Sequence, residues 1–317
     1  MGMFVHILSS RLKMLELNKV HNMDCIEGMK LLDDDTISVC ITDPPYDYEV
    51  IGQTWNNKEI ERRLEKIKSD KESTTLVKNI PYGNGLAGGI RNKRWYERNR
   101  ESTLNYEKWT EEWGRELFRV MKSGGLAFVF NSSRSVAHTQ VALENVGFYA
   151  RDIIVWRRNS GIPKGLNVAK KLQKLGREDY KEWEGWHSCF RSEWEAICVV
   201  QKPLINNYIE TLEKNNIGLL KVKSDEGFKS NIIENIQRDK KDEFNNHVTV
   251  KPTELIKELL EISVPKGNNV VLDCFMGSGT TALCCKEKGI DYIGFEINKE
   301  YCDIIEKRLD SINQIEG

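Results

Sequence analysis

Apolar, β-branched runs alternate along the chain with stretches of helical periodicity. The runs at 18–23, ISVCIT (37–42), LAFVFN (126–131), RDIIVW (151–156), EAICVV (195–200), NVVLDC (269–274) and DYIGFE (291–296) predict strands. Residues 25–32, 109–122, 133–146, 252–264, 279–288 and 298–312 predict helices. The strands are mostly apolar throughout rather than alternating, so both of their faces are expected to be covered. With helices between them they predict an α/β fold built on a mostly parallel sheet. Two stretches break the pattern. Residues 47–108 are polar, Gly-rich and charged, and 201–250 are rich in Asn and Lys with weak periodicity. Both read as inserted segments, and loops of that length usually carry function.

Composition narrows the class. The chain has 317 residues, 39% apolar and 30% charged, which suits one large α/β domain with insertions. No apolar run approaches the roughly 20 residues that span a bilayer. The opening MGMFVHILSSRLK is too short and too weakly apolar for a secretory signal, so a cytoplasmic protein is expected. Met14 opens a second start, which marks 1–13 as a dispensable leader before a single domain over 14–317. The eight cysteines are scattered without a CxxC pair, so they read as buried reduced thiols, and no metal is expected. A net charge of −1 announces no polyanion partner. Locally the picture changes. IRNKRWYERNR (90–100) interleaves Arg91, Lys93 and Arg94 with aromatics, and 157–181 carries Arg157, Arg158 and Lys164 among further basic residues. Such segments suit phosphate and base contacts, or are solvated loops.

Two glycine and proline signals carry the chemistry. In VVLDCFMGSGTTALCCKEKG (270–289) an apolar strand ends at Asp273, Phe275 follows, and Gly277-Ser278-Gly279 leads into a helix opening at Thr280. Glycines let a backbone turn sharply and approach a ligand, and a helix start offers free N–H groups. A second strand then ends at Glu296, an acid placed to accept from ribose hydroxyls. No Gly-Lys-Ser/Thr follows the glycines, so this is not a phosphate loop. A cofactor with an adenosine and no phosphate fits, S-adenosylmethionine above all. The other signal is Asp43-Pro44-Pro45-Tyr46, directly after the strand at 37–42. Two prolines fix a stiff extended corner whose carbonyls no helix consumes. That corner offers two acceptors, the Asp43 carboxylate and the Pro44 carbonyl, as an exocyclic –NH2 requires, with the Tyr46 ring for stacking.

These residues resemble the amino-methylating DNA methyltransferases in their β-type order, with DPPY preceding FMGSG. NMDC (22–25) resembles the segment whose acid, here Asp24, meets the cofactor's adenine amine. HVTVKP (247–252) resembles the family's HPTxKP, with Val248 in place of the usual proline, and points to Lys251 beside the cofactor. GWHSCFRSEWEAICVVQKP (185–203), with Glu195, and ELFRVMKSGGLAFVF (116–130) resemble two further units. The resemblance implies a Rossmann-like, seven-stranded, circularly permuted methyltransferase with one antiparallel strand. It implies S-adenosylmethionine bound by Asp24, Lys251, Asp273, Phe275, Gly277, Ser278, Gly279, Thr280 and Glu296, and catalysis by Asp43, Pro44, Pro45 and Tyr46. Double-stranded DNA is the expected partner. A homodimer and a cognate restriction endonuclease are further partners left open.

The reaction expected is methyl transfer to an aromatic amine, whose lone pair is spread into its ring. Accepting both of its N–H bonds localises that pair, and orientation supplies the rest of the rate. The base must leave the duplex to be reached. Adenine N6 is expected, because Asp before Pro-Pro goes mainly with adenine in the resembling family and Ser mainly with cytosine. Cytosine N4, an RNA or protein amine, and an inactive DNA-binding subunit stay as alternatives.

Overall fold

The computed structural model describes residues 15–46, 93–158, 165–236, 239 and 250–313. Among them the chain forms strands β1 (Lys19–His21), β2 (Ile37–Thr42), β3 (Met121–Asn131), β4 (Tyr149–Arg157), β5 (Trp194–Gln201), β6 (Lys223–Ser224), β7 (Gly227–Phe228), β8 (Ile232–Ile233), β9 (Val270–Asp273) and β10 (Asp291–Phe295). The α-helices are α1 (Cys25–Met29), α2 (Lys93–Val120), α3 (Val136–Asn145), α4 (Val168–Lys174), α5 (Tyr208–Asn215), α6 (Thr253–Ser263), α7 (Thr280–Lys288) and α8 (Lys299–Asn313).

The main sheet runs β1-β10-β9-β2-β3-β5-β4-β8. Every neighbouring pair is parallel except the two that involve β5, which is antiparallel to both β3 and β4. The seven expected strands are present with the single reversed one, and two-residue β8 adds an eighth at the edge beside β4. The period-2 geometry of a strand divides its side chains between two faces. Val39 and Ile41 of β2 and Phe128 and Phe130 of β3 join α6, α7 and α8 on one face. Cys40, Ala127 and Val129 join α1, α2 and α3 on the other. This explains why the strands read as continuously apolar: β2 is buried at all six positions.

Helix α2 begins at Lys93, well before the expected 109. Its second half carries a stripe of buried Tyr106, Trp113, Leu117 and Val120 at helical spacing, whereas the described side chains from 93 to 101 are exposed. An exposed helical half has no apolar stripe and so no periodicity to detect. The 201–250 segment likewise contains α5, the small β6–β7 hairpin and β8. Seven of the eight cysteines are buried, and all eight are free thiols. No helix among the described residues is long and apolar enough to cross a membrane.

Candidate active site

The site forms where strand order reverses. β2 and β9 are parallel neighbours, paired at Val39–Val271 and Cys40–Leu272. From β2 the chain passes through α2 to β3 on one side, and from β9 through α7 to β10 on the other. Connections that diverge to opposite faces leave a crevice at the carboxyl ends of the two strands. The ends are tied together. Thr42 Oγ1 donates to Asp273 Oδ1 (2.7 Å) and accepts from the backbone N–H groups of Cys274 and Phe275 (3.1 and 3.2 Å). Asp273 also accepts from Thr281 Oγ1 (2.7 Å) and from Phe275 N (3.1 Å). Burial pushes the Asp273 carboxyl up to about 6, against the hydrogen bonds from Thr281, Thr42 and Phe275. Asp273 therefore acts as a clasp joining β2, the glycine loop and α7.

Beyond the clasp the loop shapes a cradle. Gly277 and Gly279 have φ of +56° and +84°, the left-handed region that glycine reaches without cost. A Cβ at Gly279 would lie 2.8 Å from Ile305. Glu296, 5% exposed, accepts from Gly277 N (2.9 Å) through Oε2 and from Asn298 N (2.7 Å) through Oε1. Burial raises its carboxyl to about 7, opposed by those backbone hydrogen bonds. Ser278 is held through its carbonyl by Arg308. Phe275 packs against Trp109 at a tilt and edge-on against Trp113, with centroids 5.5 and 5.7 Å away. Asp24 follows β1 as the N-cap of α1, accepting from Ile26 N and Glu27 N. The cradle passes a test of fit for an adenosine-type cofactor. The Thr280 hydroxyl is buried at the start of α7 with no partner among the described residues, and a buried polar atom of that kind calls for a ligand group.

On the β2 side stands the corner, with Pro44 buried and Asp43, Pro45 and Tyr46 half-buried. Tyr46 Oη donates to Asp43 Oδ1 (2.6 Å). The Lys251 ammonium donates to Asp43 Oδ2, reaches Tyr46 Oη at 3.2 Å and lies 3.6 Å from Glu195 Oε2. Glu195 Oε1 in turn accepts from Arg158 Nη1 (2.8 Å). Burial, and then the negative charges of Asp43 and Glu195, hold the Tyr46 hydroxyl well above its usual pKa. Lys251 is kept extended by Pro252, the N-cap of α6.

Several expected site residues have partners within the chain. Lys251, expected beside the cofactor, has its ammonium on the Asp43 corner. Arg157 and Arg158, expected on phosphates, are paired with Glu234 (2.7 Å) and Glu195 (2.8 Å). The Arg158–Glu195 pair is largely buried, whereas the Arg157–Glu234 pair is exposed to solvent. Lys93 and Arg94 are exposed at the start of α2, with Lys93 3.9 Å from Glu97. Arg91 and Lys164 lie outside the described residues. Sequence reasoning misses Thr42 and Thr281 as structural partners of Asp273. Their signal is a hydroxyl residue closing an apolar strand and another just inside the following helix. Glu195 could be found as an acid opening an otherwise apolar strand.

A model of the N6/N4 DNA methylase family matches residues 37–307. The chain is 29% identical over 307 residues to the type II methyltransferase M.HindIII of Haemophilus influenzae, covering 92% of this chain and 94% of that one. Its fold is similar to the PvuII DNA methyltransferase, a cytosine-N4-specific enzyme (TM-score 0.55, 14% identity, covering 94% and 92% of the two chains). It is also similar to M1.HpyAVI solved with S-adenosylmethionine (TM-score 0.50, 20% identity, 92% and 98%). The matched span takes in the proline corner, the reversed strand and the glycine cradle alike, and the chain belongs to the N6/N4 DNA methylase family.

Proposed function

We propose that this protein methylates the exocyclic amine of a base flipped out of double-stranded DNA, N6 of adenine, with S-adenosylmethionine as donor. The observation that carries the reading is the juxtaposition of two unlike halves. The Asp43 corner ends β2, the glycine cradle follows β9, and the Thr42–Asp273 hydrogen bond fixes one to the other. When bound, the donor supplies an electrophilic methyl group on a sulfonium. Gly277, Gly279, Thr280 and Glu296 would hold it, with Asp24 at the carboxyl end of neighbouring β1. Asp43 and the Pro44 carbonyl accept the two N–H bonds of the amine and localise its lone pair. Tyr46, held by Asp43, offers its ring to the base. Exclusion of water strengthens each of these interactions. The likeness to M.HindIII supports a type II restriction–modification setting, with an endonuclease of the same sequence specificity as partner.

The test is incubation with labelled S-adenosylmethionine and separate DNA, RNA and protein substrates. Label enters DNA; label confined to RNA or protein would refute the reading. Digestion of that DNA to nucleosides, followed by mass spectrometry, yields N6-methyladenine. The second reading, cytosine N4, is favoured by the fold likeness to the cytosine-N4-specific PvuII enzyme and is chosen if N4-methylcytosine is the product.

A further inference from the structure

Asp43 is proposed to receive the target amine, yet both of its oxygens are already engaged. Oδ1 accepts from Tyr46, and Oδ2 accepts from the Lys251 ammonium. An ammonium carries three N–H donors, so on Asp43 it makes the hydrogen bond that an amine would make. A carboxylate offers about four lone-pair sites, and with Tyr46 on Oδ1 and Lys251 on Oδ2 the entering amine competes with Lys251 for the Oδ2 side.

The structure also shows where Lys251 can go. Its side chain is 10% exposed, and the Phe130 and Tyr46 rings lie 5.1 and 5.6 Å from the ammonium. Pro252 fixes the backbone directly behind it. Glu195 Oε2 stands 3.6 Å away, so a swing of the side chain carries the ammonium from Asp43 into a charge-assisted hydrogen bond with Glu195. Arg158 pins the other Glu195 oxygen and keeps the receiving carboxylate in place. The group holds two carboxylates, Asp43 and Glu195, and two cations, Lys251 and Arg158. It is balanced before the shift and after it, so no charge is left buried alone.

We propose that Lys251 stands in for the target amine on Asp43 when DNA is absent and passes to Glu195 as the base enters, which makes Glu195 a positioning residue for methyl transfer. The proposal rests on Asp43 being the acceptor of the amine. Glu195→Gln removes the receiving charge and leaves Lys251 and Arg158 facing Asp43 alone, so Lys251 stays bound there. Removing Lys251 as well restores balance, with Asp43 and Arg158 remaining.

The test is a double-mutant cycle, with unmethylated plasmid DNA as substrate and calorimetric S-adenosylmethionine binding as the measure of an intact fold. Glu195→Gln lowers kcat/KM for DNA about tenfold or more, with the donor Kd unchanged within about twofold. The Glu195→Gln, Lys251→Met double variant is several-fold faster than Glu195→Gln alone. A Glu195 acting only as a structural counter-ion would lose donor affinity in the single variant and regain it in the double, whereas here the donor Kd stays unchanged in Glu195→Gln and only turnover is relieved; a double variant as slow as or slower than the single one overturns the proposal. If Lys251→Met does not bind the donor, Lys251→Gln takes its place in the cycle and is judged by the same comparison. Wild-type protein that fails to methylate the plasmid refutes the proposed function instead, which separates the two failures.

Discussion

The cradle and the corner face one crevice but are built in opposite ways. The cradle is made by backbone: two left-handed glycines, a helix start, and a buried acid that holds the loop through Gly277 N. Its parts lie within one strand–loop–helix–strand unit. The corner is made by side chains from remote parts of the chain, with Lys251 208 positions from Asp43 and Glu195 149 from Tyr46. The cradle is shaped in advance by conformation and carries raised carboxyls at Asp273 and Glu296. The corner is a balanced set of charges in which hydrogen-bond partners can be exchanged. On the proposed reading, the binding half relies on fixed shape and the reacting half on groups that change partners.

The comparison breaks most sharply at Asp43. Asp43→Ala should lower kcat by about 10²–10³-fold or more, the scale seen when a preorganised electrostatic group is removed from the reacting atoms. The donor Kd should stay nearly unchanged. Calorimetry and single-turnover methylation check both halves, and a variant with near-normal turnover removes Asp43 from the chemistry.

The complementary change is Glu296→Ala, which should weaken S-adenosylmethionine by about 1–3 kcal/mol, the cost of losing a charged hydrogen-bond partner. Titration calorimetry measures it, and an unchanged affinity places the ribose-binding acid elsewhere.

A smaller effect sharpens the electrostatic difference. Burial lifts the Glu296 carboxyl from an ordinary 4.5 to about 7. The folded protein therefore binds the proton more tightly than the unfolded chain. The resulting stabilisation is fully present below about 4.5 and is lost as pH rises through about 7. Without donor, the thermal midpoint of the wild type should fall relative to that of Glu296→Gln as pH rises from 5 to 8. A wild type that gains on the variant over that range would reverse the assigned sign.

The smallest effects concern DNA affinity. Charge reversal at Lys93 and Arg94, together with Arg91, should flatten the salt dependence of binding, by about 0.9 in the log–log slope for each phosphate no longer neutralised. Arg157→Gln should change that slope less than the α2 charge reversals, because Arg157 gives up its pairing with Glu234 to reach a phosphate. Binding isotherms across a salt series distinguish the two segments.

What can be read in advance follows the same division. The glycine cradle is legible because its information is local: Gly277 and Gly279 sit at fixed offsets between an apolar strand and a helix, and Glu296 closes the next strand. The partners of the corner are not. Lys251 is legible through HVTVKP as a site residue, but not its contact with Asp43, and nothing local pairs Arg157 with Glu234 or Arg158 with Glu195. The first half of α2 escapes the sequence pattern because a solvated helix carries no apolar stripe.

The sequence by itself determined the seven main strands and their order along the chain, the two-faced burial of those strands and the positions of both loops, since these depend on side-chain period and on the backbone limits of glycine and proline. Only the tertiary structure decided that β2 and β9 are neighbours, that Thr42 clasps Asp273, and that Lys251 lies between Asp43 and Glu195. Charges far apart along the chain acquire partners only when the sheet brings strand ends together, and no local pattern encodes which of them will meet.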